Sequence, residues 1–242
     1  MAEQQRAAER DFDTSYAPTY DADDAPMDET HRRFVQGLLG RCPRGGRVLD
    51  AACGTGKYFG VVLAADFAVS GVDRSAGMLA RAAAKFPSVA RQKAGRQDLP
   101  FAGEFDAVMC VDAMEYMPPE QWPVVLERLV GAARPGGSIY LTVERTDPAG
   151  LALSYAEARD QGLPMATGEQ IRRGEYHYYP ELAQVRTWLQ DAGLNGLVEA
   201  HSPGEQHSYS YQHFLGIVGS RPPLAAARSS FRLATTWVGR TE

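Results

Sequence analysis

Only three cysteines occur in 242 residues, Cys42, Cys53 and Cys110, and no two stand at CxxC spacing. A zinc ribbon and a disulfide scaffold are excluded, and an odd count points to free thiols in a reducing compartment. Long apolar runs are missing too: the longest central stretch without charge or strong polarity is 59–65, far short of the roughly 18 residues of a membrane-spanning helix. The opening MAEQQRAAERDFD is charged throughout and has no apolar block of signal-peptide length, so a cytoplasmic protein without membrane partners is expected. A basic excess is also lacking. Thirty acids against 25 Lys and Arg give a net charge of −5, the wrong sign for a protein that neutralises phosphates, so nucleic acid is not an expected partner.

What is present suffices for one α/β domain with extra elements at its ends. Hydrophobic residues make up 44% and charged residues 23%, enough to bury a sizeable core and too little for two full domains in this length. The charge is uneven: residues 1–30 hold nine acids and two bases, leaving 21 acids and 23 bases in the rest. An acidic N-terminal arm (1–30), a main domain (31–219) and an arginine-bearing C-terminal tail (220–242) are expected.

Strand and helix signals alternate along the main domain. Arg47–Asp50 reads as a buried parallel strand, Lys57–Ala65 as the first helix and Phe67–Val72 as the second strand. Ser75–Phe86 reads as a helix capped by Ser75, Ser88–Lys93 as a third strand and Phe105–Val111 as a fourth, apolar on both faces. Pro118 opens a helix with Trp122, Leu126, Leu129 and Ala133 on one stripe, and Gly136-Gly137 then turns the chain into the strand Ser138–Val143. Residues 144–179 interrupt the alternation as an insertion, with a helix at Leu151–Asp160 and a polar stretch ending in Glu175-Tyr176-His177-Tyr178-Tyr179. A helix after Pro180 and strands at Leu197–Ala200 and Ser208–Val218, an antiparallel hairpin at the sheet edge, complete the pattern. Such alternation specifies a doubly wound, parallel α/β fold.

The sequence VLDAACGTG lies where the first strand meets the first helix, the crevice that serves as the ligand site in such sheets. Gly54 and Gly56 let the backbone turn tightly and approach a ligand, and Asp73, at the next strand end, is placed to accept hydrogen bonds from ribose hydroxyls. A turn glycine alone would explain the pair less fully. A dinucleotide-binding loop would carry its third glycine one residue earlier than Gly60, and Asp50 would repel a pyrophosphate while suiting an ammonium group.

On these residues the chain resembles the class I S-adenosylmethionine-dependent methyltransferases. VLDAACGTG is similar to that family's first motif and GVDRSAGML to its second, while QDLPF, FDAVMCVDAMEYM and RPGGSIYLTVE follow in the family's order, over about residues 30–218. The resemblance implies a mostly parallel, seven-stranded sheet of Rossmann-like form. It further implies S-adenosylmethionine as cofactor, with S-adenosylhomocysteine as product. Asp50, Ala52, Gly54 and Gly56 would line the methionine part, Asp73 the ribose, Arg74 and Met78 the adenine, with Val111 and Tyr20 beside the cofactor. Many members place an acid three residues before Asp98; here Gly95 stands there, and Gln97, Asp98 and Leu99 would supply the adenine contact.

Methyl transfer is an in-line displacement in which positioning supplies much of the rate and a base is needed only for a nucleophile with a firmly held proton. Candidates for the acceptor side are Met114, Glu115 and Tyr116 after the fourth strand, and Tyr176, His177 and Tyr178 in the insertion, with His177, Glu115 and Tyr116 as catalytic candidates. Met114 and Met117 would equally fill core, Glu115 would equally cap the Pro118 helix, and the aromatic cluster would equally seal a loop. Tyr16 and Tyr20 either close over the site or anchor the arm. His201, His207 and His213 stand six apart, which matches no usual metal site, and no metal is expected. The function expected is methyl transfer to a small organic acceptor of aromatic or natural-product type. A nicotinamide-dependent oxidoreductase and a nonenzymatic cofactor-binding protein are the alternatives, and a homo-oligomer stays open.

Overall fold

The computed structural model describes residues 17, 19–23, 27–160, 162, 165–172, 175–203 and 209–219; Tyr16, His207 and the 220–242 tail lie outside them. A short helical turn at Tyr20–Asp23 precedes α1 (Glu29–Leu39), β1 (Arg47–Asp50), α2 (Phe59–Ala64), β2 (Ala68–Asp73), α3 (Ala76–Lys85) and β3 (Ala90–Lys93). There follow β4 (Phe105–Cys110), α4 (Trp122–Ala132), β5 (Ala133–Thr146), α5 (Pro148–Asp160), β6 (Glu169–Arg172), β7 (Glu175–Tyr178), α6 (Leu182–Asp191), β8 (Leu194–Pro203) and β9 (Tyr209–Val218). Among the described residues no helix is long and apolar enough to cross a membrane.

Seven strands form one sheet in the order β3-β2-β1-β4-β5-β9-β8. The first five are parallel, and β9 runs antiparallel between β5 and β8. Side-chain alternation divides the core between the two faces. Leu49, Val108, Cys110, Ile139, Leu141 and Phe214 pack with Trp122, Leu126 and Leu129 of α4 on one side. Val48, Ala107, Met109, Tyr140 and Leu215 pack with Phe34, Val35 and Leu38 of α1 on the other. β4 is buried along its whole length, as a continuous apolar run between two helical layers requires. The crossing from β1 to β2 reverses direction relative to β4, which puts the crevice at the C-terminal ends of β1 and β4.

Local cues account for most boundaries. Asp28 caps α1 by accepting the His31 N–H, and Ser75 caps α3 by accepting the Met78 N–H, as expected of Ser75. Other boundaries shift. The first helix starts at Phe59 rather than Lys57, because the loop Ala51–Tyr58 is made of turns. Ala133 leaves the helical stripe and begins β5. There five steps along β5 from Ala133 to Ser138 oppose two along β4 from Phe105 to Ala107, so Gly136-Gly137 lie in a bulge. The last hairpin is as expected in kind, but β9 sits inside the sheet and only β8 is at the edge. The segment expected as an inserted polar stretch forms a second antiparallel hairpin, β6 with β7, in which Gln170 opposes His177.

Candidate active site

The glycine loop follows β1. Gly54 and Gly56 have φ of +50° and +82°, the left-handed region where a side chain is strained. A Cβ on Gly54 would meet no described atom within 4 Å, whereas one on Gly56 would lie 2.7 Å from the Phe59 ring. The first glycine thus faces open space and the second faces the core. Asp73 ties the loop to its surroundings: Oδ2 accepts the Gly54 N–H at 2.9 Å and Oδ1 the Ser75 N–H at 2.8 Å. Loop, β2 end and α3 cap are joined on one carboxylate that keeps lone pairs to spare.

Asp50, the last residue of β1, is 1% exposed, and neither carboxylate oxygen has a hydrogen-bond partner among the described residues. Burial first, and then the charges of Asp73 and Asp112, push its carboxyl up to about 8, a rise that the nearby Ala52 N–H only partly offsets. Such a group holds its proton near neutrality until a cation arrives. Of the residues expected to contact adenine, Met78 and Leu99 are buried, Arg74 and Asp98 are exposed, and the Gln97 amide donates to Asp98 at 2.8 Å. Val111, just past β4, is buried and Ala52 half-buried.

The N-terminal turn sits on this loop through Asp21. Its Oδ1 accepts the buried Thr55 hydroxyl at 2.6 Å and Lys85 Nζ at 2.8 Å, and its Oδ2 accepts Arg81 Nη2 at 3.0 Å. Burial raises the Asp21 carboxyl, but the hydrogen bonds of Lys85, Thr55 and Arg81 outweigh it and hold the group below its ordinary range. Tyr20, half-buried, is carried by the same turn. Because the ions are partly exposed, the Asp21→Asn variant should lose only roughly twofold to fivefold in affinity for a ligand under the turn. Calorimetry from about 50 to 500 mM salt should find the native affinity falling and the variant's nearly flat. Equal salt slopes would show that the turn does not cover the ligand.

The residues expected on the acceptor side lie past β4 and β5. Met114 and Glu115 are buried on a 3₁₀ turn, Met114 in the core, while Tyr116 is exposed. Glu115 does not cap the Pro118 helix. It is 3% exposed, its Oε2 has no partner among the described residues, and burial followed by the charge of Glu144 drives its carboxyl well upward. The β6/β7 hairpin covers this turn. The His177 ring lies 5.1 Å from that of Tyr116 and stacks on Tyr179 at 6.0 Å, and the Tyr179 hydroxyl donates to Glu144 at 3.3 Å. Tyr178 packs edge-on to Trp122 in the core, and the Tyr176 hydroxyl donates to Glu169 at 2.7 Å. Part of the aromatic cluster therefore seals the hairpin, and the His177 ring is buried in contact with the rings of Tyr116 and Tyr179.

Contacts between distant residues bring a further set of polar groups into the same neighbourhood. His31, in the first turn of α1, lies between Asp28 and Asp112, and Asp112 is a non-glycine residue with φ of +51°. His213 bonds Tyr140 through Nδ1 at 2.9 Å and Ser202 through Nε2 at 2.8 Å, and burial together with the charge of His31 pushes it down to about 4. His201 is exposed on β8. Among the described residues no group of three or more His, Cys, Asp or Glu is arranged to hold a metal. No local sequence pattern pairs His31 with Asp112, 81 residues away.

Residues 48–137 match the family model described as a methyltransferase domain. The chain is 31% identical over 191 residues to the demethylmenaquinone methyltransferase of Beutenbergia cavernae, covering 76% of this chain and 75% of that enzyme. It is 28% identical over 165 residues to the ubiquinone biosynthesis O-methyltransferase of Xanthomonas axonopodis pv. citri, covering 63% of this chain and 64% of that enzyme. Among solved structures, Burkholderia thailandensis 1,6-didemethyltoxoflavin-N1-methyltransferase with bound 1,6-didemethyltoxoflavin and S-adenosylhomocysteine has a TM-score of 0.67 at 18% identity, covering 90% of each chain. Synechocystis PCC 6803 magnesium protoporphyrin IX methyltransferase with bound S-adenosylhomocysteine has a TM-score of 0.63 at 16% identity, covering 88% of this chain and 99% of that chain. At these identities the structural likeness speaks for the fold.

Proposed function

Because the chain belongs to the class I S-adenosylmethionine-dependent methyltransferase family, we propose that it methylates a small organic acceptor held beneath the β6/β7 hairpin at the ends of β4 and β5. One observation carries this reading: the buried, partnerless carboxylate of Asp50 beside a loop whose Gly54 faces open space. The cofactor fits these residues. Its ammonium group would satisfy Asp50, its ribose the free lone pairs of Asp73, and its adenine the apolar wall of Met78 and Leu99, with Gln97, Asp98 and Arg74 at the rim. Ala52, Gly56 and Val111 would line the methionine part, and Tyr20 would close over it.

S-adenosylmethionine, when bound, supplies a methyl group on a positively charged sulfur. The protein's share is to exclude water, orient the acceptor and hold charge. Tyr116, exposed and backed by the His177 ring, offers a flat ring to an aromatic acceptor, and Glu115, its carboxyl driven well upward by burial, keeps Oε2 without a partner among the described residues. Two relatives named for demethylmenaquinone and ubiquinone biosynthesis support an acceptor of quinone or phenol type. A net charge of −5 and three unpaired cysteines favour a small-molecule partner in the cytoplasm over nucleic acid.

The test pairs binding with turnover. Calorimetry should find both S-adenosylmethionine and S-adenosylhomocysteine bound, and Asp73→Ala should weaken both roughly tenfold to a hundredfold, since a hydrogen bond to a charged group is worth about 1.5–3 kcal/mol. Labelled S-adenosylmethionine offered with hydroquinones, phenols and arylamines should label at least one of them. Unchanged affinities in Asp73→Ala would mean that the cofactor lies elsewhere.

A further inference from the structure

A buried ion cluster stands between α1 and the ends of β4 and β5. His31 is 5% exposed; its Nδ1 lies 2.7 Å from Asp28 Oδ2 and its Nε2 3.3 Å from Asp112 Oδ1. A neutral imidazole has one N–H and one lone pair, so between two carboxylates it would turn that lone pair on one of them. Only the doubly protonated ring satisfies both. Asp112 is held further by β5: its N–H donates to Thr142 Oγ1 at 2.8 Å, and the Thr142 hydroxyl donates back to Asp112 Oδ1 at 3.2 Å. These bonds keep a side chain in place on a backbone conformation that L-residues rarely adopt.

All three bonds leave Asp112 Oδ2 unused, and the Asp112 side chain is 25% exposed. Its charge reaches Asp50, on the cofactor side, and Glu115 and Tyr211, on the acceptor side. Among the described residues no other group packed around this cluster bonds both carboxylates. From β9 the groups around His31 are Tyr211 and His213, with ring centroids at 5.2 and 4.6 Å, and both nitrogens of His213 are already bonded. From β5 they are Tyr140 and Thr142, and from α1 and its cap they are Arg33, over the face of Phe34, and Asp28.

We propose that Asp112 is the carboxylate that accepts the acceptor's O–H or N–H hydrogen bond, and that His31 is a positioning residue clamping Asp112 from Asp28. This role rests on the methyltransferase reading. The clamp gives the reaction an alkaline limit. Burial lowers the His31 ring, but Asp112 and Asp28 outweigh it and the net shift is upward. As pH rises through that raised value the ring loses one N–H, one carboxylate loses its partner, and the rate falls.

Two measurements decide it. The first, independent of turnover, is an NMR titration of ¹³C-labelled histidine in the full chain. His31 should titrate above the ordinary histidine value, and lower in Asp28→Asn and Asp112→Asn. The second is the pH profile of kcat with an acceptor found by the labelling screen. Asp112→Asn and His31→Asn should each lower kcat roughly tenfold to a hundredfold with S-adenosylhomocysteine affinity retained. His31→Asn should also lose the alkaline fall, and Asp28→Asn should move it to lower pH. An ordinary His31 titration overturns the clamp, and an unchanged kcat and profile in His31→Asn makes it purely structural; both leave the methyltransferase reading standing. Failure of the native protein to bind S-adenosylhomocysteine sinks that reading and this role together. If His31→Asn does not fold, the native and Asp28→Asn titrations and profiles decide.

Discussion

Asp50→Asn should make the cofactor-free protein more stable near pH 8 while weakening S-adenosylmethionine binding roughly tenfold to a hundredfold. Asp50 is buried without a partner and its carboxyl sits near 8 in the folded chain, against about 3.9 in an unfolded one. Between those values the unfolded chain has released a proton that the folded chain still holds, so stability falls as pH rises through this window and levels off above about 8. An amide of the same shape has no such slope. The variant's gain in melting temperature should therefore be near zero at about pH 4 and grow up to about pH 8. Its loss of affinity follows from replacing a carboxylate by a neutral group opposite an ammonium, where a charge-assisted bond is worth about 1.5–3 kcal/mol. Binding at pH 7 should release protons in the native protein and not in the variant, as calorimetry in buffers of different ionisation enthalpy would measure. A variant that is less stable at pH 8, or that binds equally well, would remove Asp50 from the ammonium site.

Gly54→Val should abolish detectable cofactor binding and leave the protein folded. The two glycines of the loop separate binding from folding. At Gly54, with φ of +50°, a Cβ meets no described atom within 4 Å, so a valine would project into the space assigned to the ligand. Its folding cost is the left-handed backbone, roughly 1–2 kcal/mol and more for a β-branched residue. In a domain of this size that is a fall of about 2–8 °C in Tm. At Gly56 even a methyl group would press on the Phe59 ring at 2.7 Å, so Gly56→Ala should cost more stability than Gly54→Ala. Turnover at the native rate in Gly54→Val would reduce that glycine to a turn residue.

The order of strands and helices, the glycine loop and the two strand-end acids were legible in the chain because each is a local pattern. A buried parallel strand reads as an apolar run, a cap as Ser75 before a helix, and a ligand loop as glycines between them. These fix Asp50 and Asp73 at the crevice whatever the distant contacts are. The acceptor side has no such local code. Whether Tyr178 faces a ligand or Trp122 depends on how the β6/β7 hairpin folds back, and whether Glu115 caps a helix or is buried beside Glu144 depends on the pairing of β4 with β5. Asp21 on Thr55, and His31 between Asp28 and Asp112, join residues 34 and 81 positions apart. Such contacts arise only when helices pack across a finished sheet, since burial and shape, which no local pattern records, choose which distant charges meet.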